Sequence, residues 1–292
     1  MSTRSFRFGV VAGGSADAAG WADLARSVEE LGYSTMLLPD NVSAGIVAPL
    51  PALTAAATAT RSLRVGTFVL NCAVRNPMQL AWEAASVDFL SGGRLELGLG
   101  AGRPGAESDG QLLGVPFGSP RERVARLRET IDAYEALVAT NGRGHAAGMF
   151  ARTVQDRPPL LIAAGGDRML ELAGARADIV TFGLPPRTTD DGLAERTQRL
   201  RELAGDRFEH LELGINLAAI GADLPPWLSR IFGGDDPQEL IEMGSITLLA
   251  GSPDDMADTL LRRRDKTGVS YVTVNADYRE QFAPVVERVA GK

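Results

Sequence analysis

The chain has 292 residues and carries 37 acidic against 30 basic side chains, a net charge of −7 with both histidines neutral. An acidic chain without a basic run does not suit a nucleic-acid surface, and no apolar stretch is long enough to span a membrane. The single cysteine, Cys72, excludes a disulfide framework and suits a reducing, cytoplasmic setting; His145 and His210 are too few for a His/Cys metal cluster.

Short apolar runs alternate with amphipathic segments almost to the end of the chain. Phe6 to Val11 reads as a buried strand, and Trp21, Leu24, Ala25, Val28 and Leu31 then recur at helical spacing up to the stop at Gly32. Ser34 to Pro39 is a second strand, followed by a helix from about Pro51 to Thr60, and Leu63 to Leu70 is a third. Asn76-Pro77 opens the next helix as cap and first helical residue. Arg94 to Gly100 is the fourth strand. Ser119-Pro120-Arg121-Glu122 repeats the cap-plus-proline device with a glutamate placed for a capping box, ahead of a stripe of Val124, Leu127, Ile131, Tyr134 and Val138.

Pro159 to Gly166 and Ala177 to Leu184 are strands five and six, with a helix from about Arg168 to Ala175 between them. A helix over Leu193 to Ala204 leads to strand seven, Leu211 to Ile220. After an irregular insertion, Ser252-Pro253 caps a helix that runs to Lys266; Val269 to Asn275 is strand eight, and a last helix carries Phe282, Val285 and Val289. Eight apolar strands, each followed by a helix, predict parallel pairing and an α/β fold of the (β/α)8 TIM barrel type. The connections 101–118, 139–158 and 221–251 read as loop insertions on one barrel domain spanning residues 1–292, with the functional ones at the C-terminal face.

Gly100-Ala101-Gly102-Arg103-Pro104-Gly105 matches G-x-G-x-x-G, the dinucleotide-binding fingerprint. Its context is wrong, because the motif sits on the fourth strand and the following residues lack helical periodicity. The glycines read instead as positions that let backbone approach a flat ligand. No G-x-S-x-G motif supports a hydrolase.

The run from Leu63 to Gly102, with Trp21 to Asp40, Leu160 to Val180 and Gly268 to Gly291, resembles the luciferase-like monooxygenase superfamily, most closely its deazaflavin-dependent branch. The resemblance implies an oxidoreductase that uses coenzyme F420 for hydride transfer to or from a small organic substrate, acting as a homodimer. Two alternatives stay open: an FMN-dependent monooxygenase served by a separate flavin reductase, and a binding protein that has kept the ligand pocket without turnover.

On this resemblance the cofactor phosphate falls at Ala164, Gly165 and Gly166, with Asp167 and Arg168 opening a helix, a placement that suits an anion. Phe68, Val69 and Asn71 match the place where relatives carry a bulge and a cis peptide behind the ring, and Gly100, Ala101 and Gly102 lie beside the same ring. Asp40 and Asn41 stand where relatives show Asp-His, and Asn76 replaces a second usual histidine. Arg103 stands where some relatives place an acid. Asn41 and Arg103 therefore occupy the proton-handling positions without a proton that titrates near neutral pH.

Other polar residues have plainer readings. Glu83 and Asp88 are expected to pair with arginines such as Arg94 or to cap backbone, Trp21 to lie in the core, and Cys72 to be a small packing residue. Arg75 and Arg103 are candidates for holding an anion, His145 is a loop residue in reach of the mouth, and His210 is given no role.

Overall fold

A computed structural model of the chain describes residues 4–15, 17–44, 47–103, 105–140, 153–225, 228 and 232–292. Pro104 and His145 lie outside the described residues. In chain order the elements are β1 (Arg7–Val11), α1 (Ala18–Glu30), β2 (Thr35–Leu38), α2 (Pro49–Ala59), β3 (Arg64–Thr67), β4 (Leu70–Asn71), α3 (Pro77–Leu90) and β5 (Leu95–Gly100). Then come α4 (Glu107–Leu113), α5 (Pro120–Thr140), β6 (Leu160–Ala164), α6 (Asp167–Arg176), β7 (Ile179–Phe182) and α7 (Asp190–Ala204). The last are β8 (Glu212–Leu217), β9 (Ala219–Ile220), α8 (Pro237–Glu242), β10 (Leu248–Leu249), α9 (Pro253–Thr267), β11 (Val269–Asn275) and α10 (Arg279–Val289).

All eight expected strands are present, the third interrupted between β3 and β4 and the seventh between β8 and β9. Every strand pair described is parallel, and helices separate the strands, which is the (β/α)8 barrel fold.

The chain forms two compact units. One holds Met1–Val11, Glu30–Ser34 and Ala164–Lys292. In it β1 pairs with β11, β11 with β8 and β8 with β7. The guanidinium of Arg7 grips Glu212 with two 2.7 Å bonds and lies 3.6 Å from the Tyr271 ring centroid, so the amino ends of β1, β8 and β11 are joined by a half-buried ion pair. Phe6 stacks on Phe8, and Phe8 meets Phe282 of α10 edge-on. Ser252 and Asp255 close a full capping box at the start of α9, as the Ser252-Pro253 sequence predicts. The insertion is not irregular throughout, for it contains α8, capped by Asp236, and β10, which pairs with β9.

The other unit holds Ala12–Glu29 and Thr35–Ala163. Here β2 pairs with β3, β3 and β4 with β5, and β5 with β6. Asn76 accepts from the Gln79 N–H at 3.0 Å, and Ser119 and Glu122 cap each other's backbone at α5. Leu127, Ile131, Tyr134 and Val138 are buried as their spacing requires. Trp21 is a core residue whose indole N–H donates to the Ala52 carbonyl at 2.8 Å. Asp88 caps backbone, taking the N–H groups of Val154 and Gln155 and the Gln155 amide; Arg94 donates instead to the carbonyls of Ser91, Leu63 and Ala57. Gln155 also bonds Leu95 and Arg64, so the described end of the 139–158 connection lies at the amino ends of β3 and β5, away from the C-terminal face.

Among the described residues no helix is long and apolar enough to cross a membrane. The segment after Gly105 is a correction to the sequence reading: it forms the seven-residue helix α4. Its apolar Leu112 and Leu113 are exposed while Asp109 is buried, so polar contacts hold it and no apolar stripe announces it.

Glu29, near the end of α1, carries the connection into β3. Burial acts to raise its pKa, but the N–H groups of Ser62, Leu63 and Arg61 and the Ser62 hydroxyl outweigh this and bring it from 4.5 to about 2. A folded value below the ordinary one means the contribution to stability is present above about pH 4.5 and is lost as pH falls through about 2. Glu29→Gln is expected to lower stability at pH 7 and to flatten its fall between pH 5 and pH 2, roughly the span of those two values. Urea unfolding at several pH values checks this, and a variant with the wild-type acid dependence would contradict it.

Candidate functional site

The break between β3 and β4 shapes the rim of the second unit. Peptide Phe68–Val69 is cis, at the bond the family resemblance implies. Ladder pairing of β3 with β5 ends at Gly66, and Thr67 takes over through its side chain: its hydroxyl donates to the Gly98 carbonyl at 2.7 Å and accepts the Gly98 N–H at 2.8 Å. A Cβ at Gly98 would overlap the Thr67 carbonyl oxygen, and one at Gly100 would stand 2.5 Å from Cγ2 of Val69. At Gly102, with φ +85°, it would meet Oδ1 of Asn71 and the Phe117 ring at 2.9 Å. The strand-four glycines make room for the chain's own Thr67, Val69 and Asn71.

Asp40 lies just beyond β2 with its side chain only 4 % exposed. Its two oxygens take Nε and Nη2 of Arg75 at 2.7 and 2.8 Å, and Oδ2 also accepts the Asn71 N–H at 3.0 Å. This fork-on-fork pair ties the end of β2 to β4 and to the turn that leads into α3. Arg75, a candidate for holding an anionic ligand, is thus engaged by Asp40.

Asn71 is 6 % exposed. Its Oδ1 accepts the Ala73 N–H at 3.1 Å, which fixes the orientation of the amide; Nδ2 is then a buried donor without a partner among the described residues. Asn41 and Arg103 meet directly: Nη2 of Arg103 donates to Oδ1 of Asn41 at 2.7 Å. The same nitrogen lies 3.3 Å from the buried Asp109 carboxylate, which also accepts the Ser43 N–H. Sequence reasoning missed Asp109, because the helix that carries it was not seen. Ala101 is part-exposed, and its carbonyl accepts Nε of Arg123.

In the first unit, β6 ends at Ala164, whose carbonyl accepts the Gly183 N–H at 3.0 Å. Gly165 is required by packing, since a Cβ there would stand 2.6 Å from the Gly183 carbonyl oxygen. Nothing lies within 4 Å of a Cβ at Gly166, the N-cap of α6, and no side chain caps that helix. Exposed backbone N–H groups at the start of a ten-residue helix form a ready anion site. The Asp167 carboxylate is held by Arg196 and Arg199 at 3.1 Å, and Arg168 is exposed.

Cys72 is fully buried, and burial pushes its thiol up to about 12, which fits a packing role. His210 ends the turn Gly205–His210 ahead of β8, on the side of the strands away from their carboxyl ends.

Parallel strands with βα loops at one end define a (β/α)8 barrel, a fold whose members carry their active sites at the C-terminal ends of the strands. A model of the luciferase-like monooxygenase family matches residues 4–224, and the chain belongs to that family. It is 34% identical over 166 residues to the F420-dependent glucose-6-phosphate dehydrogenase of Beutenbergia cavernae, a match covering 51% of the chain and 48% of that relative. The chain spans about half the length of the curated relatives it matches. The solved F420-dependent tetrahydromethanopterin reductase of Methanopyrus kandleri superposes with a TM-score of 0.70 at 18% identity over 98% of both chains. The oxygenating constituent of 3,6-diketocamphane monooxygenase from Pseudomonas putida, solved with FMN, gives 0.75 at 16% identity, again over 98% of both. At these identities the two structures establish the barrel fold.

Gly98→Ala is expected to cost about 1–3 kcal/mol through overpacking against Thr67, while Gly166→Ala, into open space, costs well under half of that. Urea unfolding of both variants checks the contrast; equal stabilities would mean that the approach of β5 to Thr67 is not a constraint.

Proposed function

We propose that the protein is an F420-dependent oxidoreductase that passes hydride to or from a small organic substrate. The observation that carries this reading is the orphaned Nδ2 of Asn71, a buried donor fixed in orientation at the rim where relatives hold their cofactor. A buried donor without a partner is costly unless a ligand oxygen satisfies it. The F420-dependent relatives and structural neighbours support the same cofactor. When bound, F420 supplies the hydride-transferring carbon, and the chain supplies position and exclusion of water.

Each residue then has a task of its own. Asn71 donates from Nδ2 to an oxygen of the ring system. Phe68, Val69, Gly100, Ala101 and Gly102 form the apolar and backbone surface beside the ring. Asp40 acts through Arg75 and the Asn71 N–H, holding Asn71 in place. In the first unit, taken by itself, the turn Ala164–Gly165–Gly166 and the first N–H groups of α6, at Asp167 and Arg168, suit a phosphate group. Asn41 and Arg103, joined to each other, hold an oxygen of the ring or substrate without moving a proton.

A second reading, an FMN-dependent monooxygenase served by a separate flavin reductase, is favoured by one feature: an uncapped helix start with an open glycine accepts any phosphate ester. Fluorescence titration of the purified protein with F420 and FMN side by side separates the two. F420 binding is expected, with Asn71→Leu weakening it about tenfold, the value of one hydrogen bond of ~1.4 kcal/mol. Tight FMN binding without F420 binding decides for the monooxygenase, and binding of neither removes both readings.

The same proposal makes the protein a homodimer. It rests on α3, where Met78, Trp82, Phe89 and Leu90 are each about half exposed. Exposed apolar side chains gathered on one helix mark a surface that a second copy of the chain would cover. Light scattering is expected to give a dimer mass for the native chain and a monomer mass for Trp82→Glu; a monomeric native protein would end this part of the proposal.

A further inference from the structure

Three βα connections of the second unit, those leaving β2, β4 and β5, enclose a cavity of about 410 Å³. Its size falls in the range of small-molecule sites, and its position at strand carboxyl ends is where this fold places substrates. The cavity has two kinds of wall. Val42, Val47 and Leu113 contribute apolar surface, whereas Asn41, Gln79 and Glu83 contribute polar groups.

The charges on the walls do not cancel. Asp40 and Arg75 line the cavity, but they are locked to each other by two short bonds. Glu83 adds a second carboxylate, bonded to the neutral Gln79 amide at 2.9 Å. Two carboxylates and one guanidinium leave one negative charge facing the cavity. An ionised carboxylate accepts hydrogen bonds only, so a ligand placed against it must donate. An anion in this space would face like charge without a free cation from these walls.

We infer that this cavity is the substrate pocket and that it takes small alcohols or amines with an apolar body, rejecting phosphorylated and carboxylated compounds. The assignment as a substrate pocket rests on the proposed oxidoreductase function. Glu83 is then a specificity residue: it receives the hydroxyl or ammonium of the ligand while Val42, Val47 and Leu113 cover the apolar part. The consequence is a substrate class unlike the sugar phosphate in the names of the F420-dependent dehydrogenase relatives.

Calorimetric titration of the cofactor-free protein with cyclohexylamine, cyclohexanol and glucose 6-phosphate tests the pocket independently of the cofactor. Cyclohexylamine and cyclohexanol are expected to bind and glucose 6-phosphate to give no heat. Glu83→Gln, which keeps size and hydrogen bonding, should weaken cyclohexylamine at least tenfold and cyclohexanol less than threefold. Leu113→Trp should abolish both by filling the space. Glucose 6-phosphate binding as tightly as the amine, or an amine affinity unchanged in Glu83→Gln, overturns the inference. Parallel titration of the same preparations with F420 separates the two claims. F420 binding with no Glu83 effect removes the pocket alone; probe binding without F420 binding removes the cofactor reading, and with it the role as a substrate pocket.

Discussion

Strand β5 runs so close to the end of β3 that no side chain fits at residues 98 and 100, and the rim of the second unit follows from that approach. Thr67 stays paired with Leu38 of β2 but leaves the ladder with β5, holding Gly98 through its hydroxyl instead. Val69 and Asn71 then come in over the space left by Gly100 and Gly102. Each glycine removes a Cβ that would push these residues outward, so the rim exists because three side chains are missing. The Asp40–Arg75 fork completes it by tying β2 to the same turn, and the buried Asn71 amide is presented with its donor unmet.

Asn41 and Arg103 are not independent of each other. They come from different βα loops, yet they share a hydrogen bond, and Asp109 of α4 anchors the pair. A carboxylate almost without solvent contact needs a cation or several donors beside it, and Arg103 and the Ser43 N–H supply both. An amide bonded to a guanidinium carries no proton that titrates near neutral pH, so the pair is a fixed clasp between loops. That clasp stands beside a cavity whose remaining charge belongs to Glu83, so polarity here points toward holding a donor-bearing ligand.

The first unit contributes a different kind of site. Gly165 is needed because the Gly183 carbonyl passes close to it, whereas Gly166 faces open space at the start of α6. Of two adjacent glycines, one serves packing and the other leaves a helix terminus uncovered. Their chemistry is the same; their neighbours differ.

Eight strands, the helices between them, and the caps at Asn76, Ser119 and Ser252 were legible in the sequence, because apolar periodicity and capping are local properties of a few neighbouring residues. The family likeness located the cis bond at Phe68–Val69, by motif and not by physics. Helix α4 escaped, since polar contacts from Ser43 and Arg103 hold it and its own apolar residues face outward. Nor did the sequence reveal that Arg75 belongs to Asp40, that Asn41 meets Arg103, or that Gly98 makes room for Thr67: these pairs are separated by 31 to 62 positions. Which groups share a hydrogen bond, and which carboxylate is left facing a cavity, depends on strands brought side by side by the fold. The chain's local chemistry determined the barrel; only tertiary contact decided which of its charges and donors remain for a ligand.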